Sequence, residues 1–281
     1  MTTIEEQVNG TRALQPRALI VTIYGLYARE VGGWLRVASL IRLMRDVGID
    51  EPAVRSSISR LKRRGILEAD RQDGVAAYGL SDHAREILDE GDRRIFQRPQ
   101  AALDEGWLLV VFSVPESQRQ KRHILRSRLT WLGFGTVSAG VWIAPGHLDA
   151  ETRDVLHRYD LSTYVDLFRA DYLAFGEVAE QVARWWDLSE LDALYGEFIE
   201  TYQPMLTNWR RRRSADEPAA FADYVRALTA WRRLPFLDPG LANEVLPRWW
   251  TGVRAADLFF ELHDRLRQPA HLHVENVRRV V

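Results

Sequence analysis

The chain has 281 residues, of which 46% are hydrophobic and 27% charged, and its formal net charge is −1. That composition is globular and too long for one small core, so two or three domains are expected, and nucleic-acid binding would need a local basic patch. It contains no cysteine, which removes disulfides, thiolate metal sites and cysteine nucleophiles and fits a cytoplasmic protein. The first 15 residues are polar and include acids, unlike a secretory leader, and no apolar run reaches bilayer-spanning length, so no membrane partner is expected.

Pro16 opens a first predicted helix over residues 17–30, with Leu19, Ile20, Ile23, Leu26 and Tyr27 on its apolar side. Gly32-Gly33 breaks it, and a second helix with Val37, Leu40, Ile41 and Met44 inward ends near Gly48. The third carries its own start and stop signals. Asp50 is an N-cap, Glu51 and Pro52 suit a first turn, and Gly65 suits a left-handed C-cap after a run of bases. Val54, Ile58 and Leu61 share one side of this helix, while Ser56, Ser59, Arg60 and Arg63 share the other, with Arg55 and Lys62 beside them and no acid between Ala53 and Gly65. Arg, Lys and Ser are the side chains that reach phosphates and purine edges in a DNA major groove; a solvated helix face is the plain alternative. Residues 66–70 and 75–80 read as two short strands around an Asp73-Gly74 turn, with Arg71 near the tip, and Ser81 caps a further helix to about Phe96. Three helices and a hairpin make a winged helix-turn-helix, in which Arg71 on the wing reaches a flanking phosphate or the minor groove.

Residues 97–106 form a polar, Pro-containing connector. After it come a buried-strand run over 107–114 halted by Pro115, a helix over 116–132 with Ile124, Leu125, Leu129 and Leu132 inward, and a strand over 136–144 with a further one concealed near it. A helix over 149–158 and a strand over 163–169 follow. This order is close to a ferredoxin-like split βαβ. From Gly176 onward helices are expected over 178–186, 189–208, 218–231 and 243–267, in a segment holding six of the ten tryptophans. Those tryptophans either build a helical core or line a ligand cavity in which Arg232 or Arg233 holds an anionic group. The run Arg210-Arg211-Arg212-Arg213 is a solvated connector, a phosphate contact or a partner contact. Among catalytic signatures there is no Gly-x-Ser-x-Gly, Walker-type Gly-Lys-Ser/Thr or His-Glu-x-x-His. His271-Leu272-His273, in what reads as a polar tail near His263, lacks a third fixed metal ligand. No catalytic residue, metal or cofactor is assigned.

The stretches Ala18-Leu19-Ile20-Val21-Thr22-Ile23-Tyr24-Gly25, Val54-Arg55-Ser56-Ser57-Ile58-Ser59-Arg60-Leu61 and Gly65-Ile66-Leu67, with Tyr78-Gly79-Leu80-Ser81, resemble the N-terminal segment of PaaX-type regulators. Trp231-Arg232-Arg233-Leu234-Pro235-Phe236-Leu237-Asp238-Pro239 and Leu246-Pro247-Arg248-Trp249-Trp250 resemble their C-terminal segment, so the likeness covers nearly the whole chain. The resemblance implies a winged helix-turn-helix DNA-binding domain over 16–96 and a central ferredoxin-like scaffold or dimerisation domain over 97–175. It implies a helical Trp-rich domain for effector binding or dimerisation over 176–281. The implied function is a homodimeric repressor of a catabolic operon, holding double-stranded operator DNA through Arg55, Ser56, Ser59, Arg60, Lys62, Arg63 and Arg71. A small-molecule effector, phenylacetyl-CoA or a related acyl-CoA, would release it, with Trp231, Arg232, Arg233, Trp249 and Trp250 as candidate effector contacts. The central segment is also similar in fold to small CRISPR-adaptation endoribonucleases, which makes a metal-dependent nuclease the alternative. The aspartate that ends their first strand has no counterpart in Phe112-Ser113-Val114-Pro115.

Overall fold

Helical spacing of apolar residues sets the start of the chain. In the computed structural model, which describes residues 15–280 apart from 73, 99, 174 and 215, α1 (Pro16–Ile23) runs on through a wide turn (Tyr24–Ala28) and a tight one (Arg29–Val31). The polar N-terminal segment, Asp73 of the hairpin turn and Pro99 of the connector lie outside the described residues. Then come β1 (Trp34–Arg36), α2 (Val37–Asp46), α3 (Glu51–Arg63), β2 (Leu67–Gln72), β3 (Val75–Leu80) and α4 (Asp82–Asp92). The strands form an antiparallel sheet in the order β1-β3-β2. Sequence periodicity misses β1, which is too short to show alternation and is held by its pairing of Trp34 to Gly79 and Arg36 to Ala77.

The chain divides into two compact units, and neither is continuous in sequence. The first joins the segment up to Ile95 to Gly196–Arg233 and Gly252–Val281; the second comprises Phe96–Tyr195 and Leu234–Thr251. The expected C-terminal segment is thus shared between them, and the division falls within one helix, α8 (Leu188–Arg211).

In the first unit, α9 (Glu217–Trp231) and α11 (Gly252–Val280) pack on α1 and α2. Helix α9 is buried nearly all round, from Ala220 and Phe221 through Tyr224 and Leu228 to Trp231, as befits the middle of a core. Trp231 is fully enclosed, stacks on Phe259 with ring centroids 4.7 Å apart, and donates its indole N–H to the Ile95 carbonyl at 3.2 Å. The hydroxyls of Thr229 and Thr22 lie 2.8 Å apart, and Arg226 donates to the Val47 carbonyl at 3.1 Å.

The last helix departs from the expected 243–267. Leu246 is extended before Pro247, which disfavours a helical conformation there, so only a short turn (Asn243–Val245) forms and α11 begins at Gly252. It then continues through Pro269 to Val280, because Leu262, Leu266, Ala270, Val274 and Val277 keep a buried stripe at helical spacing. The presumed polar tail is therefore a packed helix.

The second unit holds β4 (Trp107–Phe112), α5 (Arg119–Trp131), β5 (Gly135–Ser138), β6 (Val141–Pro145), α6 (Asp149–Arg158) and β7 (Val165–Ala170). Its four strands lie in the order β5-β6-β4-β7 with every neighbouring pair antiparallel, and the concealed strand is β5, turned back into β6 at Ala139-Gly140. Leu108, Val110, Trp142 and Ala144 share a core with Leu125 and Leu129 of α5 and Val155 and Leu156 of α6. Near β5 sits Trp186, just past α7 (Val178–Trp185), whose indole N–H donates to the Gly133 carbonyl at 2.8 Å. A Cβ at Gly135 would come within 2.7 Å of that indole, so the close approach requires glycine. The short α10 (Leu234–Leu237) leads to Asp238, whose carboxylate accepts from Arg98 at 3.1 Å, Tyr195 at 2.7 Å and the Gly240 amide at 2.9 Å.

Trp231→Ala should lower unfolding stability by about 3–5 kcal/mol in denaturant titration. Trp249, 52% exposed, should tolerate alanine with a change within about 0.5 kcal/mol.

Candidate nucleic-acid interface

The basic helix is built as its punctuation indicates. Asp50 Oδ1 accepts the Ala53 amide at 2.9 Å, Pro52 stands in the first turn, and Gly65 adopts φ +68°, where a side chain would be strained. Val54, Ser57, Ile58 and Leu61 face inward. The Gly65 carbonyl accepts the Ser81 hydroxyl at 2.6 Å, and the Ser81 amide donates to Ile66 at 3.1 Å, so the end of α3 is tied to the start of α4. Tyr24 donates to the Tyr78 carbonyl at 3.0 Å and links α1 to β3.

All seven residues predicted to face DNA are exposed, and they divide between two flanks. Arg55, Ser59 and Lys62 line a cleft of about 1170 Å³ between α3, α2 and the β2–β3 hairpin, where Arg71 also stands. Ser56, Arg60 and Arg63 lie outside that cleft. Arg55 has a partner the sequence reading overlooked, since Glu51 one turn earlier accepts its Nε at 2.8 Å. Among the described residues, the side chains of Arg60, Lys62, Arg63 and Arg71 have no carboxylate partner, although the Arg71 amide donates to Asp70 Oδ1 at 2.7 Å.

Three cations join the surface that periodicity alone did not single out. Arg42 and Arg45, one turn apart on the exposed side of α2, line the cleft. Its charged lining is Arg42, Arg45, Arg55, Lys62 and Arg71 against Glu51 and Asp70. Arg17 has its pKa lowered by burial and then by repulsion from Arg64 and Arg60, so the bases continue from α3 to the start of α1. The signal for Arg42 and Arg45 was in the sequence, at the outward positions of α2; that for Arg17 depends on how α1 meets α3.

The candidate effector residues are not gathered in one unit. Trp231 and Arg232 are buried in the first, and Trp249 and Trp250 belong to the second. Arg232 donates to the Ala18 carbonyl at 3.3 Å, its Nε has no partner among the described residues, and burial lowers its pKa to about 10. Arg233 is half-buried at the end of the first unit's α9 segment. Trp250 sits edge-on to Tyr195 with centroids 5.5 Å apart. His273 is not in a polar tail either: it is buried, with Nε2 2.7 Å from Asp46 Oδ2, while His271 lies near Glu30 and Glu275 at 3.4 and 3.5 Å.

In the arginine run, Arg210 chelates Glu261, and Arg212 lies 4.2 Å over the Trp209 ring and 3.6 Å from Asp216, whereas Arg211 and Arg213 are exposed. At the end of β4, the Ser113 amide donates to the Tyr164 carbonyl at 3.0 Å and the Val114 carbonyl accepts Arg122 at 2.6 Å. Among the described residues no group of three or more His, Asp or Glu side chains is placed to hold a metal ion, and no helix is long and apolar enough to cross a membrane.

Three family models match in chain order: PaaX-like protein over residues 15–84, PaaX protein central Cas2-like domain over 100–182, and PaaX-like protein C-terminal domain over 186–276. The chain is 28% identical over 275 residues to the transcriptional repressor PaaX of Escherichia coli (strain K12), covering 96% of this chain and 85% of that protein. A solved structure of an uncharacterised protein from Mycobacterium tuberculosis is similar with a TM-score of 0.57 and 22% identity, over 95% of this chain and 98% of that one, a likeness of fold.

His273→Ala strips Asp46 of its buried partner and should lower stability by about 1–3 kcal/mol, with faster hydrogen exchange in α2; His271→Ala, at a half-buried position away from Asp46, should do neither. The Arg210 hydrogen bond, with help from Arg265, lowers the Glu261 pKa to about 2 from 4.5. A lowered carboxylate pKa stabilises the fold above the unfolded value and loses that effect as pH falls through the folded one. The difference in unfolding midpoint between wild type and Glu261→Gln should therefore be full above pH 4.5 and vanish toward pH 2.

Proposed function

The chain belongs to the PaaX-type regulators, and on that premise we propose that it is a DNA-binding transcriptional repressor of a catabolic operon, released by a small-molecule effector. The observation that carries this reading is the outer face of α3: capped at both ends, basic, and bordered by a cleft whose other cations come from α2 and the hairpin. In this reading α2 and α3 are a helix-turn-helix, and β2–β3 is its wing. The order of helices and the β1-β3-β2 sheet support that assignment.

Ser56, Ser59, Arg60 and Arg63 face base edges or the phosphates beside them. Arg42, Arg45, Lys62 and Arg71 meet one phosphate backbone, and Arg17 extends the contact on the opposite flank. Arg55, shared with Glu51, is an oriented phosphate contact rather than a free base reader. A two-fold homodimer provides one such helix for each half of a palindromic operator.

Residues 97–175 serve as a ferredoxin-like scaffold or dimerisation element. The strand order β5-β6-β4-β7 and the match to a Cas2-like domain model support that fold, and a β4 end without a carboxylate supports a non-enzymatic role. Residues 16–96 carry DNA contact, and the segment from 176 carries effector response. The resemblance supports phenylacetyl-CoA or a related acyl-CoA as effector, and an operator-binding role supports a cytoplasmic location.

The test is a binding titration of the full chain on its own upstream DNA at near-physiological salt. Arg60→Ala should weaken specific binding by about 1–3 kcal/mol and reduce the log–log salt slope by roughly one unit if a phosphate contact is lost, with unfolding unchanged. Equal affinity and equal slope would remove α3 from the interface.

A further inference from the structure

The second unit contains a cavity that gathers one of the candidate effector residues, Trp249, with residues the sequence did not single out. It holds about 580 Å³ between the end of α7, the start of α8 and the loop before α11, with Arg184, Trp185, Trp186, Ser189, Pro247 and Trp249 in its lining. That volume is in the range of small-molecule sites.

Its wall on one side is fixed. Trp186 is held by its bond to the Gly133 carbonyl and by its seat on Gly135, and Trp185 is set edge-on against Trp107 at 5.5 Å and Tyr172 at 5.6 Å. Trp249, in the lining from the loop before α11, is 52% exposed, a large ring left in contact with water. The charges also differ in their engagement. Arg184 is exposed and has no carboxylate partner among the described residues. Asp187, the acid in the lining, accepts the Glu190 amide at 3.0 Å and so caps the start of α8. An unpaired guanidinium beside aromatic rings selects a flat ligand that carries an anion.

We propose that this cavity is the effector site, taking an aromatic ring against Trp186 and Trp249 and placing the ligand's anionic group on Arg184. The proposal rests on the reading of the chain as an effector-released repressor. The anion is either a carboxylate on the aromatic compound itself or the phosphates of its CoA thioester. The loop that lines the cavity also has a route to the interface along the chain. Past Trp249 it reaches Thr251, whose amide and hydroxyl both donate to Asp192 Oδ1 at 2.6 and 2.8 Å. Thr251 is followed directly by α11, the helix whose His273 holds Asp46 at the end of α2. A ligand that changes the position of Trp249 therefore acts on the segment from which that helix starts.

Calorimetric titration of the full-length protein with phenylacetate, phenylacetyl-CoA and free CoA, beside operator titrations with each compound, tests this. The wild type should bind an aromatic compound, with the free acid and thioester arms identifying the source of the anion. Arg184→Ala and Trp249→Ala should each weaken binding about tenfold or more, Trp249→Phe should retain most of it, and operator affinity without ligand should be unchanged. Equal ligand binding and equal DNA release by the alanine variants would overturn the site while leaving the effector reading intact. No binding of any compound by a wild type that still holds its operator would overturn both the site and the aromatic effector, and would leave the DNA-binding assignment standing.

Discussion

Asp46 ends α2 with a carboxylate only partly open to water, and its partner is His273, far along the chain in α11. The contact has companions. Arg226 caps the carbonyl of Val47, Thr229 meets Thr22, and Arg232 reaches the Ala18 carbonyl. Helix α1 is buried over six consecutive residues, Ala18 to Ile23, α2 and α3 are each apolar on one side, and α9 and α11 close the surface that α1 and α2 must bury. The basic face is thus presented by a framework whose interior belongs partly to the C-terminal segment.

Arg232 shows what this arrangement tolerates. A cation enclosed with one carbonyl contact and a pKa lowered to about 10 is destabilising, because burial disfavours its charged form. It sits where α9 leaves the first unit's core, directly after the fully buried Trp231. In the second unit the comparable junction is neutralised instead: Asp238 receives Arg98, Tyr195 and the Gly240 amide, so a buried carboxylate there is fully engaged.

Much of the basic helix was legible because its causes are local. Asp50, Pro52 and Gly65 delimit α3, and Val54, Ile58 and Leu61 orient it, all within one short stretch. What escaped the sequence depends on distant partners. The three residues of β1 have no period of their own and are a strand only because β3 pairs with them. The His271–His273 region reads as polar until Asp46 and Glu30 are beside it. Tryptophan and arginine content likewise cannot separate core from cavity: Trp231 and Arg232 are interior, whereas Trp249 borders open space. The two discontinuous units were illegible for the same reason, since helix periodicity does not state which helix closes which core.

That discontinuity has a consequence for synthesis. Asp46 and His273 are 227 positions apart, and Ala18 and Arg232 are 214 apart. At roughly 5–20 residues per second, the helices that bear the basic face wait on the order of 10–45 s after translation before their core can close. Contacts of such long range also make the final assembly slow relative to local helix formation. During that interval α1 and α2 expose the apolar side that α9 and α11 later cover, so the nascent chain, rather than the finished repressor, is the form most exposed to aggregation and in need of chaperones.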